Sequence, residues 1–214
     1  MADFTMKNIC LEYDSIRDDI LSKEIDRALD VGVPYLFDHV QHYQCQEVKK
    51  SDTLVNIELE NGIDRKSMKG ILVPFQDEFT AGERDSEKFP NPKIRTIKFS
   101  IDSLPNKLYS CGYKTENQWS EISKHFVREE YKRSHDMNID VFDYYADKFA
   151  LWADLRVVED NYLHGSGKKH ESKNNILMEM VKKDTGTGKY FMHIFVISDA
   201  RVIIKDCKLS SFDY

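Results

Sequence analysis

Residues 53–60, TLVNIELE, carry Val55, Ile57 and Leu59 at every second position, with Asn56, Glu58 and Glu60 between them. Strand side chains alternate between the two faces of a sheet, so this pattern predicts a strand with one face buried and one in water. The signature recurs along the chain without helices spaced regularly between its instances. That disfavours a parallel βαβ sheet and constrains the fold more than any single motif.

Residues 8–13 alternate through Ile9, Leu11 and Tyr13, and residues 93–102 through Ile97, Phe99 and Ile101, with Ile94 out of phase as a β-bulge would leave it. Residues 70–75, GILVPF, are apolar throughout, as in a strand covered on both faces. A weaker pattern over residues 38–48 fits a strand paired with 53–60, and residues 149–156, 175–182, 189–198 and 201–206 are strand-like. DTGTG at 184–188 is a hairpin turn signal. About nine strands result, so the fold class is mostly β, an antiparallel sandwich.

Three helices interrupt it. One begins at Asp14 or Ser15, follows Ile16, Ile20, Ile25, Ala28 and Leu29, and stops at Gly32 and Pro34. Another spans 115–131, with Thr115 as cap and Trp119, Ile122, Phe126 and Val127 on one face, and the last spans 138–147. Residues 61–69 and 76–92 read as loops. No repeat, low-complexity tract or proline-rich linker divides residues 1–214, which are expected to form one domain.

Composition narrows the function classes. The 25 aromatic residues (12 Phe, 11 Tyr, 2 Trp) exclude wholesale disorder. A net charge of −6 disfavours a dedicated nucleic-acid binder and docking on an anionic membrane. No apolar run reaches the roughly 18 residues that span a bilayer, and MADFTMKNIC lacks the pattern of a signal peptide, so a soluble intracellular protein is expected. Cys10, Cys45, Cys111 and Cys207 form no CxxC pair, and free, mostly buried thiols are expected.

Few residues offer chemistry. TGTGK and HGSGK lack the spacing of a Walker A loop and read as turns. His39, His42 and Cys45 are three apart, which on a strand points neighbours to opposite faces and argues against zinc. His164 and His170 flank a glycine-rich loop without a recognisable catalytic arrangement, and Asp154, Glu159 and Asp160 read as a solvated loop. Residues 190–197 are apolar on both faces except at His193, so this strand is central or lies in a contact. No catalytic, cofactor-binding or metal-binding residue is expected.

NICLEYDSI at 8–16, KKSDTLVNIELENGIDRKSMKGILVPF at 49–75, AGERDSEKFPNPKI at 81–94 and SLPNKLYSCG at 103–112 carry a resemblance, which KFALWADLRVVEDNYLHGSG at 148–167 and HIFVISDARVII at 193–204 continue. In order and over nearly the whole chain, they resemble the second half of the double-jelly-roll major capsid proteins of Polinton (Maverick) elements and their adintovirus-like relatives. The resemblance implies a jelly-roll of about eight antiparallel strands with two or three helices inserted in loops. In that family two rolls in tandem form a subunit, and three subunits form a pseudo-hexagonal capsomer of an icosahedral shell.

This chain has room for one roll, so a separately encoded half, a fragment or a host-captured remnant is expected. The implied partners are copies of itself, as a homotrimer, or a related capsid protein, with no cofactor and no direct nucleic-acid contact. The implied location is the virion, or the host cytoplasm or nucleus during assembly. Inter-subunit contacts are expected from loop residues Arg65, Lys66, Glu83, Arg84, Asp85, Asp160, Asn161 and His164. The alternatives are a captured domain that binds viral capsid protein and interferes with assembly, and a jelly-roll enzyme or carbohydrate-binding module. The absence of a His-x-His motif argues against a cupin-type metal site.

Overall fold

A computed structural model describes residues 19–59, 65–78, 88–101, 104–105, 113–126, 139–156, 165–170, 176–182, 186–205 and 208–213. The strand expected at 8–13 and the start of the first helix lie outside them. Helix α1 (Asp19–Val31) ends where Gly32 takes a φ of 104°, a left-handed turn that glycine adopts at little cost. The strands are β1 (Val33–Lys49), β2 (Leu54–Leu59), β3 (Arg65–Asp77), β4 (Ile94–Ile101), β5 (Leu104–Pro105), β6 (Tyr113–Lys114), β7 (Ala150–Asp154), β8 (Lys168–His170), β9 (Ile176–Lys182), β10 (Lys189–Lys205) and β11 (Lys208–Asp213). Between β6 and β7 come a 3-10 turn (Thr115–Asn117), α2 (Gln118–Phe126) and α3 (Val141–Ala146).

Two antiparallel sheets result. One runs β1-β10-β3-β7, with β11 on β10 and β8 on β3; the other runs β2-β9-β4-β5, with β6 on β4. Each sheet takes strands from both halves of the chain, and the first long strand lies beside the last, which is the winding of a jelly-roll. Ile71, Val73 and Phe75 of β3 and Met192, Ile194 and Val196 of β10 are buried, as are Val55, Ile57, Ile97, Met178 and Met180 of the facing sheet. Together they form the core between the sheets. On the other face of the first sheet Trp152, paired with Leu72, is fully buried where α2 packs on β7.

The alternating segments at 53–60 and 93–102 are strands as expected, and the register of β4 slips between Ile94 and Thr96, at the expected bulge. Residues 70–75 are buried apart from the half-buried Leu72, and β10 is central, between β1 and β3. Helix α3 starts at the N-cap Asp140, whose Oδ1 accepts from the amides of Phe142 at 2.7 Å and Asp143 at 2.8 Å.

Pairing departs from expectation. The strand over 38–48 is the longer β1, and it pairs with β10, whereas β2 pairs with β9 in the other sheet. The turn between β1 and β2 therefore crosses the sandwich. Lys182 Nζ pins it by donating to the carbonyl of Lys49 at 2.7 Å, and the Lys182 amide donates to Thr53 O at 2.9 Å. DTGTG also joins strands of different sheets, so the turn at Gly188 (φ 92°) closes no hairpin.

Several boundaries also move. Residues 65–69, read as loop, belong to β3; residues 189–205 form one strand rather than two; β8 and β11 were not anticipated. Thr115 lies within the 3-10 turn rather than capping α2, and residues 127–131 of the expected helix lie outside the described residues. Among the described residues no helix is long and apolar enough to cross a membrane.

Candidate assembly surface and buried ion cluster

Two buried charged residues interrupt the apolar runs of β3 and β10. Lys69 on β3 and Asp199 on β10 are each 3% exposed, and Lys69 Nζ lies 2.8 Å from Asp199 Oδ1 and 2.6 Å from Asp38 Oδ1 on β1. Asp199 Oδ2 accepts from Ser67 Oγ at 2.5 Å and from the Gly165 amide at 2.9 Å, and Ser67 Oγ accepts from the Gly167 amide at 2.9 Å. The cluster thus joins three strands and fastens the loop at 165–167 to the sheet.

Desolvation pushes Asp199 towards its neutral form, but hydrogen bonds from Lys69, Ser67 and Gly165 outweigh it and hold the carboxyl below its usual range. Lys69 is opposed by the same desolvation, and its bonds to Asp199 and Asp38 hold it above the usual lysine value. Both stay ionised at neutral pH. Ser67 already donates to a carboxylate and accepts from an amide, so the arrangement works as a clamp and leaves no hydroxyl poised for attack. The signal in sequence was a lysine and an aspartate, each abutting an apolar run, in SMKGILV and FVISDARVII.

The residues singled out in sequence are scattered. Arg65 and Lys66 lie in β3 rather than in a loop, and Lys66 is exposed. Glu83, Arg84, Asp85, Asp160, Asn161 and His164 lie outside the described residues, as does Glu159. Asp154 is held by Arg156, whose Nε donates to Oδ1 at 2.8 Å and whose Nη2 reaches Oδ2. That carboxylate is engaged within the chain rather than solvated.

A register shift between His42 and Gln44 sets His42 opposite Phe195 and Cys45 opposite His193. This puts both on one face, which simple counting along the strand excluded. His193 Nδ1 lies 3.3 Å from His42 Nε2, and its Nε2 lies 3.4 Å from Gln76 Oε1. Cys45 is exposed, contrary to the expectation of buried thiols, and desolvation with the nearby Glu47 raises its pKa, keeping it a thiol. The other three cysteines lie outside the described residues. Among the described residues no group of three or more His, Cys, Asp or Glu side chains could hold a metal ion.

Apolar side chains collect at one end of the first sheet. There the start of β1 pairs with residues 197–204 of β10, and β11 pairs with residues 201–205. Tyr35, Leu36, Phe37 and Val40 of β1 are 40–56% exposed and Leu209 of β11 is 67% exposed, while Ile20, Ile25 and Val31 of α1, which contacts β10, are also exposed. Neighbouring residues of a strand point to opposite faces, so Leu36 and Phe37 present apolar surface on both. Among the described residues β1 pairs along one side only, leaving an edge.

No protein-family model matches the sequence, and no curated protein matches it. Solved structures do match. The structure of PBCV-1 VP54, fitted into a reconstruction of the virophage Sputnik, superposes with a TM-score of 0.55 at 8% identity, over 90% of this chain and 54% of that one. The chain shares the jelly-roll fold of that structure. The PBCV-1 virus capsid matches with a TM-score of 0.53 at 10% identity over 89% of this chain and 54% of that one. For the mavirus major capsid protein the values are 0.50, 10%, 85% and 41%. The chain spans about half the length of the capsid chains it matches.

Proposed function

We propose that this chain is a structural capsid protein, virus-encoded or virus-derived, that associates with copies of itself into capsomers of an icosahedral shell. The observation that carries the reading is the two-sheet winding, shared over 90% of the chain with PBCV-1 VP54. The apolar side chains left exposed on α1, β1 and β11 support it, because exposed apolar surface of this kind marks a contact. We assign the chain to the Polinton or Maverick group, as the second roll of a double-roll subunit, on its segment resemblance. In this reading residues 1–214 are one roll, three copies form the capsomer, the protein resides in the virion, and it has no catalytic activity.

A second reading fits the same fold. It is a captured single roll that binds a viral capsid protein and interferes with assembly.

Light scattering behind size-exclusion chromatography, with negative-stain microscopy of the leading peak, separates the two. A mass near three times 25.1 kDa, or larger shells, is expected for the capsid protein. A monomer at every concentration that co-sediments with a related capsid would overturn self-assembly in favour of the second reading.

A further inference from the structure

One cavity runs against the charge of the whole molecule. The chain carries a net charge of −6, yet a cavity of about 1030 Å³ is bounded by Lys93, Arg95 and Lys114, with Thr96 and Tyr145 on its wall and Glu116 as its one acid among the described residues. Lys93, Arg95 and Lys114 are exposed, and among the described residues none has a carboxylate partner. On the same strand Lys98 is paired with Glu179 at 2.9 Å.

The backbone is shaped around this cavity. Lys93 has a φ of 53°, a left-handed conformation that a lysine adopts at a cost. Asn91 holds it there: its Oδ1 accepts from the Lys93 amide at 2.9 Å, and its Nδ2 donates to Tyr145 O at 3.1 Å. Arg95 is the extra residue of the β4 bulge, between the pairs Ile94–Lys182 and Thr96–Val181. Bulges commonly re-aim a side chain. Lys114 sits opposite Thr96 on the other flank of β4. The Tyr145 hydroxyl closes the wall by donating to Glu116 O at 3.0 Å, and desolvation keeps it protonated.

We infer that this cavity docks an acidic segment of a second copy of the chain. The volume suits a stretch of peptide rather than a single ion. A long polyanion would meet the net negative charge of the rest of the molecule, whereas a short acidic segment needs only the local field. The chain supplies such a segment at residues 78–87, EFTAGERDSE, where Glu78, Glu83, Asp85 and Glu87 outnumber Arg84.

The inference rests on the self-association reading, so the test measures binding and association separately. A labelled peptide of residues 78–87, and a control with its four acids replaced by amides, are titrated into the full chain by fluorescence anisotropy. The same is done with the Lys93→Ala/Arg95→Ala/Lys114→Ala variant, its fold checked by circular dichroism and melting. The acidic peptide is expected to bind the parent chain at least tenfold tighter than the control, to weaken as salt rises, and to lose at least tenfold in the variant.

Light scattering of both proteins supplies the second readout. Association of the parent chain that is lost in the folded variant supports the inference. Association that is unchanged in the variant overturns it and leaves the capsid reading standing. A monomeric parent chain that still binds the peptide overturns the second-copy assignment and self-assembly together, leaving a basic cleft for another protein. A monomeric parent chain that ignores the peptide overturns both.

Discussion

A Cβ on Gly70 would sit 2.2 Å from Cη2 of Trp152, and one on Gly167 would sit 2.5 Å from the backbone carbon of Met68. Both positions are set by space, since neither has the left-handed backbone that marks Gly32 and Gly188. Gly70→Ala should force Trp152 out of its place under α2 and cost about 1–3 kcal/mol, read as a lower urea midpoint with the slope unchanged. Gly70→Ala with Trp152→Leu should recover part of the loss.

Asp199 gives a pH prediction. Its folded-state pKa is lowered, so its contribution is present above the unfolded carboxylate value of about 3.9 and is lost as pH falls through the lower folded value. The pKa of Lys69 is raised, so its contribution is present below the unfolded value of about 10.4 and is lost as pH rises through the folded one. Asp199→Asn should cost roughly 3 kcal/mol at pH 7, the low end for a broken buried pair because Asp38 still faces Lys69. In melting curves from pH 7 to pH 2 the gap between variant and parent chain should close on the acid side. A constant gap would mean that the cluster acts through packing alone. Neither Lys69 nor Asp199 was legible as a core residue, because a charge in sequence reads as exposure until its partner, 130 positions away, is known.

At the scale of elements, what was legible was local. The alternation of β2 and the slip of β4 at Ile94 are written within a few residues, and both are present. Pairing was not legible, because alternation says which residues share a face and nothing about which strand lies alongside. Gly188 fits a turn within one sheet as well as a turn between two, and the opposing strands of the full chain decide. The cavity at Lys93 was invisible for the same reason, since its walls come from β4, β6, the turn after it and α3. Hydrogen exchange should grade the elements. Amides of residues 189–198, flanked by β1 and β3 and bearing the core, should exchange only through global unfolding. Those of β11, whose residues 208–211 are exposed, should exchange through local opening at rates insensitive to mild stabilisation of the core.

On the scale of the whole molecule, winding and surface answer different questions. The winding was legible as far as an antiparallel sandwich, and segment resemblance carried it to a jelly-roll. The surface was not legible, because Tyr35, Leu36, Phe37 and Val40 look in sequence like any buried strand. Their exposure shows only in the folded chain. Association through that end should therefore strengthen with salt, while docking at the Lys93 cavity should weaken, a contrast that light scattering across ionic strength can read.

The placement of β10 between β1 and β3 also governs the order in which the molecule can be made. Val33 pairs with Ile204, so the oldest described strand must wait through most of synthesis for its neighbour. Until residues 189–205 leave the ribosome, β1 and β3 both present raw edges, and the sandwich has no closed core. Contacts this distant in sequence make folding slow. A nascent chain of this design is most exposed to pairing with another copy before residues 189–205 are made.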